Sequence, residues 1–306
     1  MKRVLVIGDC IADVYHDCIF KKMCPDNPSV EAIVRAGITT TNPGGAANVA
    51  LNVAALIPDA IVDLIGIVPY ELKGPLKILG EGHVNTEYSY LSYDGINVKE
   101  RFMVGDVMKL RVDSEIRPEY DYKVEISLVK YLREHTPDLI IVSDYSHGAI
   151  GPGVIRLLLP YRDRLLVDTK MTDLSVFGSD GIRTKILKIN NAEFSAALAV
   201  DAVPERFFEC MIVTKGAEGA LVTIHSDLGS GRSSTNTVFV TGFHVNTVDV
   251  CGCGDTFLAG LAASLLKVDD PYGATRFANA AAATVVTKPR TAIADLGATL
   301  KLLGRT

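Results

Sequence analysis

The stretch Val248–Gly260, VDVCGCGDTFLAG, decides how the chain is read. Two glycines alternate with two cysteines, one aspartate follows, and the remainder has the apolar spacing of a helix. Three readings compete: a metal site, a redox pair, or a turn whose backbone holds an anion. Cys251 and Cys253 have no second close-spaced cysteine pair and no nearby histidine to complete a tetrahedral zinc site. With one residue between them they are also poorly placed for a disulfide. Gly252 and Gly254, by contrast, let the backbone turn with its N–H groups toward one point. The helix that follows adds the positive end of its dipole. That combination suits the charge on a phosphoryl group in transfer. Asp255 would sit at the mouth, where a carboxylate accepts the proton of an attacking hydroxyl. The residues alone slightly favour a plainer account, in which Asp255 merely caps the helix and the glycines relieve crowding.

The 306 residues carry 31 basic against 36 acidic side chains, a net charge of −5, with 48% hydrophobic and 22% charged residues. This is the composition of a globular chain with ample core. It offers no basic surface for nucleic acid or anionic membrane. The apolar run Ala278–Val286 is too short for a membrane span and contains Asn279. RVLVIGD at the N-terminus reads as a core strand rather than a signal peptide. The six cysteines (Cys10, Cys18, Cys24, Cys210, Cys251, Cys253) are therefore expected as free thiols in a cytoplasmic protein.

Apolar runs ending in glycine or a polar residue recur along the chain: VLVIGD, IVDLIGIV, DLIIVSDY, RLLVDTK, TKILKIN and CMIVTKG. They read as strands of a mostly parallel sheet buried on both faces. AANVALNVAALI, TFLAGLAASLL and YGATRFANAAAATVVTK read as helices, giving an α/β layered fold. Two spans, about 14–42 and 86–112, lack helices and read as short alternating strands. They are expected to form a small β-lid over the carboxyl edge of the sheet, where ligands of such folds bind. With no repeat or low-complexity linker, 1–306 is expected to be one domain with a lid.

The polar residues at strand ends (Asp9, Asp13, Asp144, Asp168, Asn190, Glu193) would gather at that edge. Each alone is an ordinary turn or cap residue. A second glycine pair, Gly44-Gly45, precedes a helix whose first turn carries Asn48, able to donate to a sugar hydroxyl. There is no GxxxxGK[ST] phosphate loop and no GxGxxG after the first strand.

Together these segments resemble the ribokinase-like (phosphofructokinase-B type) carbohydrate kinases from Val4 to about Ile293. GDCIAD is similar to that family's first strand, PGGAANVALN to its N-terminal signature, KINNAEF to its Asn-x-x-Glu motif. VTKGAEG looks like its nucleotide-side loop, and DVCGCGDTF like its C-terminal signature. The resemblance implies a three-layer ribokinase-like fold and magnesium-dependent transfer from ATP to a sugar or sugar-phosphate hydroxyl. It implies Asp255 as base, with the backbone of Gly252, Cys253 and Gly254 as anion hole. It implies Asp13, Gly44, Gly45 and Asn48 on the sugar, with Asp144 at the same edge. Asn190, Thr214, Gly216, Gly219 and Asn279 fall on the nucleotide side, and Glu193 with Asn190 places magnesium largely through water. A monovalent cation stays open.

Within the family, GDCIADVY, SDYSHGAI and LLVDTK are most like the subgroup that phosphorylates D-glycero-D-manno-heptose 7-phosphate at the anomeric position. Lys170 and Arg111 are candidates for a second phosphate on the substrate, or simply surface charge. No HxGH nucleotidyltransferase signature appears, so a kinase alone is expected. The chain departs from the family at Cys251 and Cys253, where threonine and alanine are usual, and after Gly66, where IVPYELKGPL lacks a Gly-x-Asp pattern. Two rivals remain: a kinase for another sugar or nucleoside, and a non-catalytic sugar- or nucleotide-binding protein. The open edge of a lid sheet is compatible with a homodimer.

Overall fold

The computed structural model describes residues 1–27, 29–79, 83–93, 97–115, 122–178, 181–200, 204–229 and 232–304. The elements in chain order are β1 (Arg3–Met23), β2 (Glu31–Gly45), α1 (Ala46–Leu56), β3 (Ile61–Pro69), α2 (Lys73–Leu79), β4 (Val84–Asn85), β5 (Tyr90–Ser92), β6 (Val98–Val104), β7 (Val107–Ser114) and α3 (Tyr122–Glu134). There follow β8 (Leu139–Asp144), α4 (Pro152–Leu158), β9 (Leu165–Thr169), β10 (Thr184–Asn190), α5 (Asn191–Ala199), β11 (Phe208–Thr214), β12 (Gly219–Gly229), β13 (Arg232–Thr241), α6 (Cys253–Leu265), α7 (Pro271–Val285) and α8 (Leu296–Leu303).

The main sheet runs β13-β12-β11-β10-β9-β8-β1-β3-β4. It is parallel from β11 to β4 and antiparallel only at the β12 and β13 edge. Strand alternation explains the three layers. Val4 and Val6 point to a core shared with α1, α6 and α7; Leu5 and Ile7 point to one shared with α3 and α4. Both faces of the sheet are thus dry, which is why its strands read as unbroken apolar runs. None of the helices among the described residues is long and apolar enough to cross a membrane.

β1 is the element that makes the site. It pairs with β3 as far as Asp9, then leaves the main sheet and pairs with β2 from Cys10 and with β6 from Ala12. One strand therefore serves the core sheet and the lid, and it carries Asp9 and Asp13 across the junction. The lid consists of outer β1, β2, β6 and β7. Of the expected second lid span, Tyr90–Ser92 pairs with β3 in the main sheet instead. Residues 28 and 94–96 of the two expected lid spans lie outside the described residues.

Candidate active site

At the carboxyl edge, Gly252 opens α6 in the left-handed conformation, φ +74°. A Cβ there would lie 2.7 Å from Asn48 Nδ2 and 2.8 Å from Thr291 Cγ2. Only glycine passes the chain through this gap, and the turn delivers Asp255 to the first turn of α6, buried. Asn48 donates to Asp255 Oδ2 at 2.9 Å, and the Tyr145 hydroxyl donates to Oδ1 at 2.7 Å. Burial pushes the Asp255 carboxyl up to about 6, against the two hydrogen bonds, which favour its charge. Such a group is poised to accept a proton near neutral pH. The Cys253 N–H donates to Val250 O at 3.3 Å. Of the expected anion hole, the first-turn amide of Gly254 is therefore better placed than that of Cys253.

Asp13 faces the same space from β1. Arg101 of β6 donates to its Oδ1 at 2.5 Å, and Thr291 to its Oδ2 at 3.2 Å. A Cβ on Gly44 would sit 2.6 Å from Asp13 Oδ2, so that glycine is what lets the carboxylate approach. Gly45, at φ +58°, caps α1 and places Asn48 on its first turn. The two glycine turns thus converge: Asn48 from one bonds Asp255 from the other.

Other expected residues have different surroundings. Asp144 is buried but accepts from Ser146 N–H at 2.9 Å and from the Thr169 hydroxyl, so one oxygen ties its own loop and the other the end of β9. Arg111 lies exposed on β7, bound to Asp113 at 2.7 and 2.6 Å, while its cross-strand neighbour Arg101 reaches Asp13. Lys170 pairs with Glu193 and lies over the Tyr145 ring, 5.4 Å from its centroid.

Asn190 and Glu193 form a capping box on α5. Asn190 Oδ1 accepts from Ala192 and Glu193 N–H, and Glu193 Oε2 accepts from Asn190 N–H. The box leaves Glu193 Oε1 on Lys170, an exchangeable partner. No cluster of three or more His, Cys, Asp or Glu able to hold a metal occurs among the described residues. This donor set fits magnesium carried mainly by water and phosphate oxygens.

A cavity of about 200 Å³, open to solvent, lies beside the α6 N-terminus. It brings together Thr214, Gly216, Gly219, Gly254 and Asn279, with Val245, Val250 and Ala283 as apolar wall. Its lining suits a nucleotide base at one end and phosphates against the glycines at the other. Asn279 braces the wall by donating to Val240 O and Thr241 O at 3.2 and 3.3 Å.

Three residues of this edge are absent from the sequence reading as functional groups: Arg101, Tyr145 and Lys188. Lys188 is buried on β10, 2.6 Å from Asp168 Oδ2. A Cβ on Gly254 would come 3.5 Å from its ammonium. Burial pulls Lys188 down, but Asp168 outweighs it and lifts the ammonium above its ordinary value. Burial also lifts Asp168. The two shifts pull opposite ways on one proton. The 2.6 Å contact and the strengthened hold of Lys188 on its proton decide for the ion pair. The signal in the sequence was a lysine inside the apolar run TKILKIN.

The profile of the pfkB family carbohydrate kinases matches residues 183–296, which contain Lys188, the capping box and the α6 turn. The bifunctional protein HldE of Helicobacter pylori is 29% identical over 328 residues, covering 100% of this chain and 67% of that protein. HldE of Coxiella burnetii is 30% identical over 305 residues, covering 94% of this chain and 60% of that protein. The chain thus spans about two thirds or less of these relatives. Phosphofructokinase-2 from Escherichia coli, in complex with substrates and products, superposes with a TM-score of 0.73 at 16% identity over 99% of this chain and 98% of its own. Arabidopsis thaliana ribokinase complexed with ribose and ATP gives 0.71 at 19% identity over 99% and 98%. These likenesses show the fold.

Proposed function

We propose that the chain is a carbohydrate kinase of the pfkB type whose acceptor is a sugar phosphate, D-glycero-D-manno-heptose 7-phosphate, converted with ATP to the 1,7-bisphosphate. The observation that carries the kinase reading is Asp255. It is a buried carboxylate with two donors, at the N-terminus of α6 and beside the cavity that Gly254 lines. The heptose phosphate is favoured by the segments GDCIADVY, SDYSHGAI and LLVDTK and by the likeness to HldE proteins over the whole chain. The same reading places the chain in the cytoplasmic route to ADP-heptose.

In this mechanism Asp13, held by Arg101, and Asn48 orient the sugar, with Gly44 and Gly45 admitting it close to the backbone. Asp255 takes the proton of the acceptor hydroxyl as it attacks. Gly254 N–H, the helix dipole and the Lys188 ammonium stabilise the charge that develops on the transferred group. Thr214, Gly216, Gly219 and Asn279 line the nucleotide side. Magnesium, placed by Asn190 and Glu193 through water, would neutralise phosphate charge. The lid, continuous with β1, would exclude water. The sheet and lid would act as one kinase domain.

The lid also supports a homodimer. Ile19 and Val34 face each other across the β1–β2 register and both are exposed, and Ile38 is 74% exposed. An apolar sheet face of this kind is suited to a second copy.

The test of the base is Asp255→Asn. Turnover is expected to fall on the order of 10²–10⁴-fold with ATP affinity retained. Near-normal turnover in the folded variant overturns the assignment.

A further inference from the structure

The loop after β8 has a construction that the kinase mechanism above does not use. Ser146 has φ +59° and Gly148 has φ +99°. A non-glycine residue in the left-handed region persists only where its surroundings over-determine it. Here the alternation turns the N–H groups of residues 145, 147 and 149 toward one carboxylate. Asp9, buried at the end of the core part of β1, accepts from Tyr145 N–H at 2.8 Å, His147 N–H at 3.1 Å and Ala149 N–H at 3.0 Å. Asp144 adds Ser146 N–H at 2.9 Å. Two buried carboxylates are thus spent on fixing five residues of loop. The side chain they fix is Tyr145, whose hydroxyl lies 2.7 Å from Asp255 Oδ1.

We propose that Tyr145 is a positioning residue for the base, clamped by Asp9 so that its phenol holds Asp255 oriented and in the form that accepts a proton. The proposal rests on the reading of Asp255 as base and extends it by naming what sets its working state. A buried carboxylate without donors keeps its proton. Asp255 has two donors, and they differ. Asn48 shares its amide with Gly252 O at 3.5 Å, whereas among the described residues the phenol donates to Asp255 alone. Burial and the neighbouring Asp255 hold the phenol firmly protonated, so it remains a donor across the working pH range. Charged groups meet this pair from every side. Asp168 of β9 and Lys188 of β10 act on Asp255, as does Cys253 on its own helix. Asp13 and Asp168 act on Tyr145. Lys99 of β6 and Lys170 lie over its ring at 6.0 and 5.4 Å, and His147 packs beside it. None of them donates to Oδ1 in place of the phenol.

The experiment is the pH profile of kcat/KM for the acceptor in the wild type, Tyr145→Phe, Asp9→Asn and Asp255→Asn. In Tyr145→Phe the acid limb is expected to move up by about one pH unit, from loss of one hydrogen bond to a charged group. Activity then recovers toward wild type at high pH, and KM for ATP is unchanged, because Tyr145 does not line the nucleotide cavity. Asp9→Asn shifts the limb the same way by less. Replacing Tyr145 with 3-fluorotyrosine, a stronger donor of nearly the same shape, moves the limb down and serves if the phenylalanine variant does not fold. A Tyr145→Phe profile lowered equally at every pH, or one that superimposes on the wild type, overturns the proposal. Retained turnover in Asp255→Asn is a separate failure, that of the base itself.

Discussion

Asp255→Asn has a consequence for stability that is independent of turnover. The unfolded carboxyl releases its proton near 3.8, and burial moves the folded group to about 6. Between these values the native state holds more protons than the unfolded one, so stability falls as pH rises. The loss is nearly complete by about pH 7, one unit above the folded value. Roughly two pH units correspond to about 3 kcal/mol of destabilisation by the ionised wild-type group at neutral pH. About half of it has accrued by pH 5. Asparagine at 255 carries no such cost. It changes the contacts with Asn48 and Tyr145 by a fixed amount that does not vary with pH. The difference in Tm between variant and wild type should therefore grow, in favour of the variant, by about 2 °C between pH 5 and pH 8 for a chain of this length. Calorimetry at both pH values gives this double difference directly. A Tm gap that is constant, or that shrinks with rising pH, refutes the claim that Asp255 is held ionised at a cost in stability.

Two further outcomes follow from the same edge of the sheet. Lys188→Met strands Asp168 in the core without its counter-charge and should cost ~3–5 kcal/mol, with Asp168→Asn added to it restoring most of the lost Tm. An unrestored double variant contradicts the ion pair as the cause. Gly252→Ala forces a Cβ to within 2.7 Å of Asn48 Nδ2 at φ +74° and should cost ~1–3 kcal/mol. Because Asn48 must move, the acceptor kcat should fall more than the ATP KM rises; equal effects on both would argue against the Asn48–Asp255 link.

Much of the fold was legible because its strands are buried on both faces. VLVIGD, DLIIVSDY and TKILKIN could hardly be anything else, helices α1 and α6 carry glycine turns at their starts, and α7 starts on an Asp270-Pro271 cap. The lid was legible only as an absence of helices. Its second span ran too early because Tyr90–Ser92 alternates like a lid strand yet pairs parallel to β3. Two glycine turns marked Asn48 and Asp255, and the family resemblance marked Asp13; in the fold Asn48 bonds Asp255, and Thr291 links Asp13 to the Gly252 turn. Arg101 was not singled out because nothing local marks an arginine on an alternating strand; it reaches Asp13 only through the pairing of β6 with β1, where it lies opposite Tyr15, two residues along from Asp13. Tyr145 escaped notice because a tyrosine after a strand-ending aspartate has no local mark of function. Its partner is 110 residues away and is brought near only by packing.

The most direct measurement is ADP release with ATP and magnesium over a panel of sugars and sugar phosphates, heptose 7-phosphate included, with the product identified by mass spectrometry. The account predicts turnover on the heptose phosphate and a bisphosphate product. ATP bound tightly, with no phosphoryl transfer to any sugar or sugar phosphate, would contradict it.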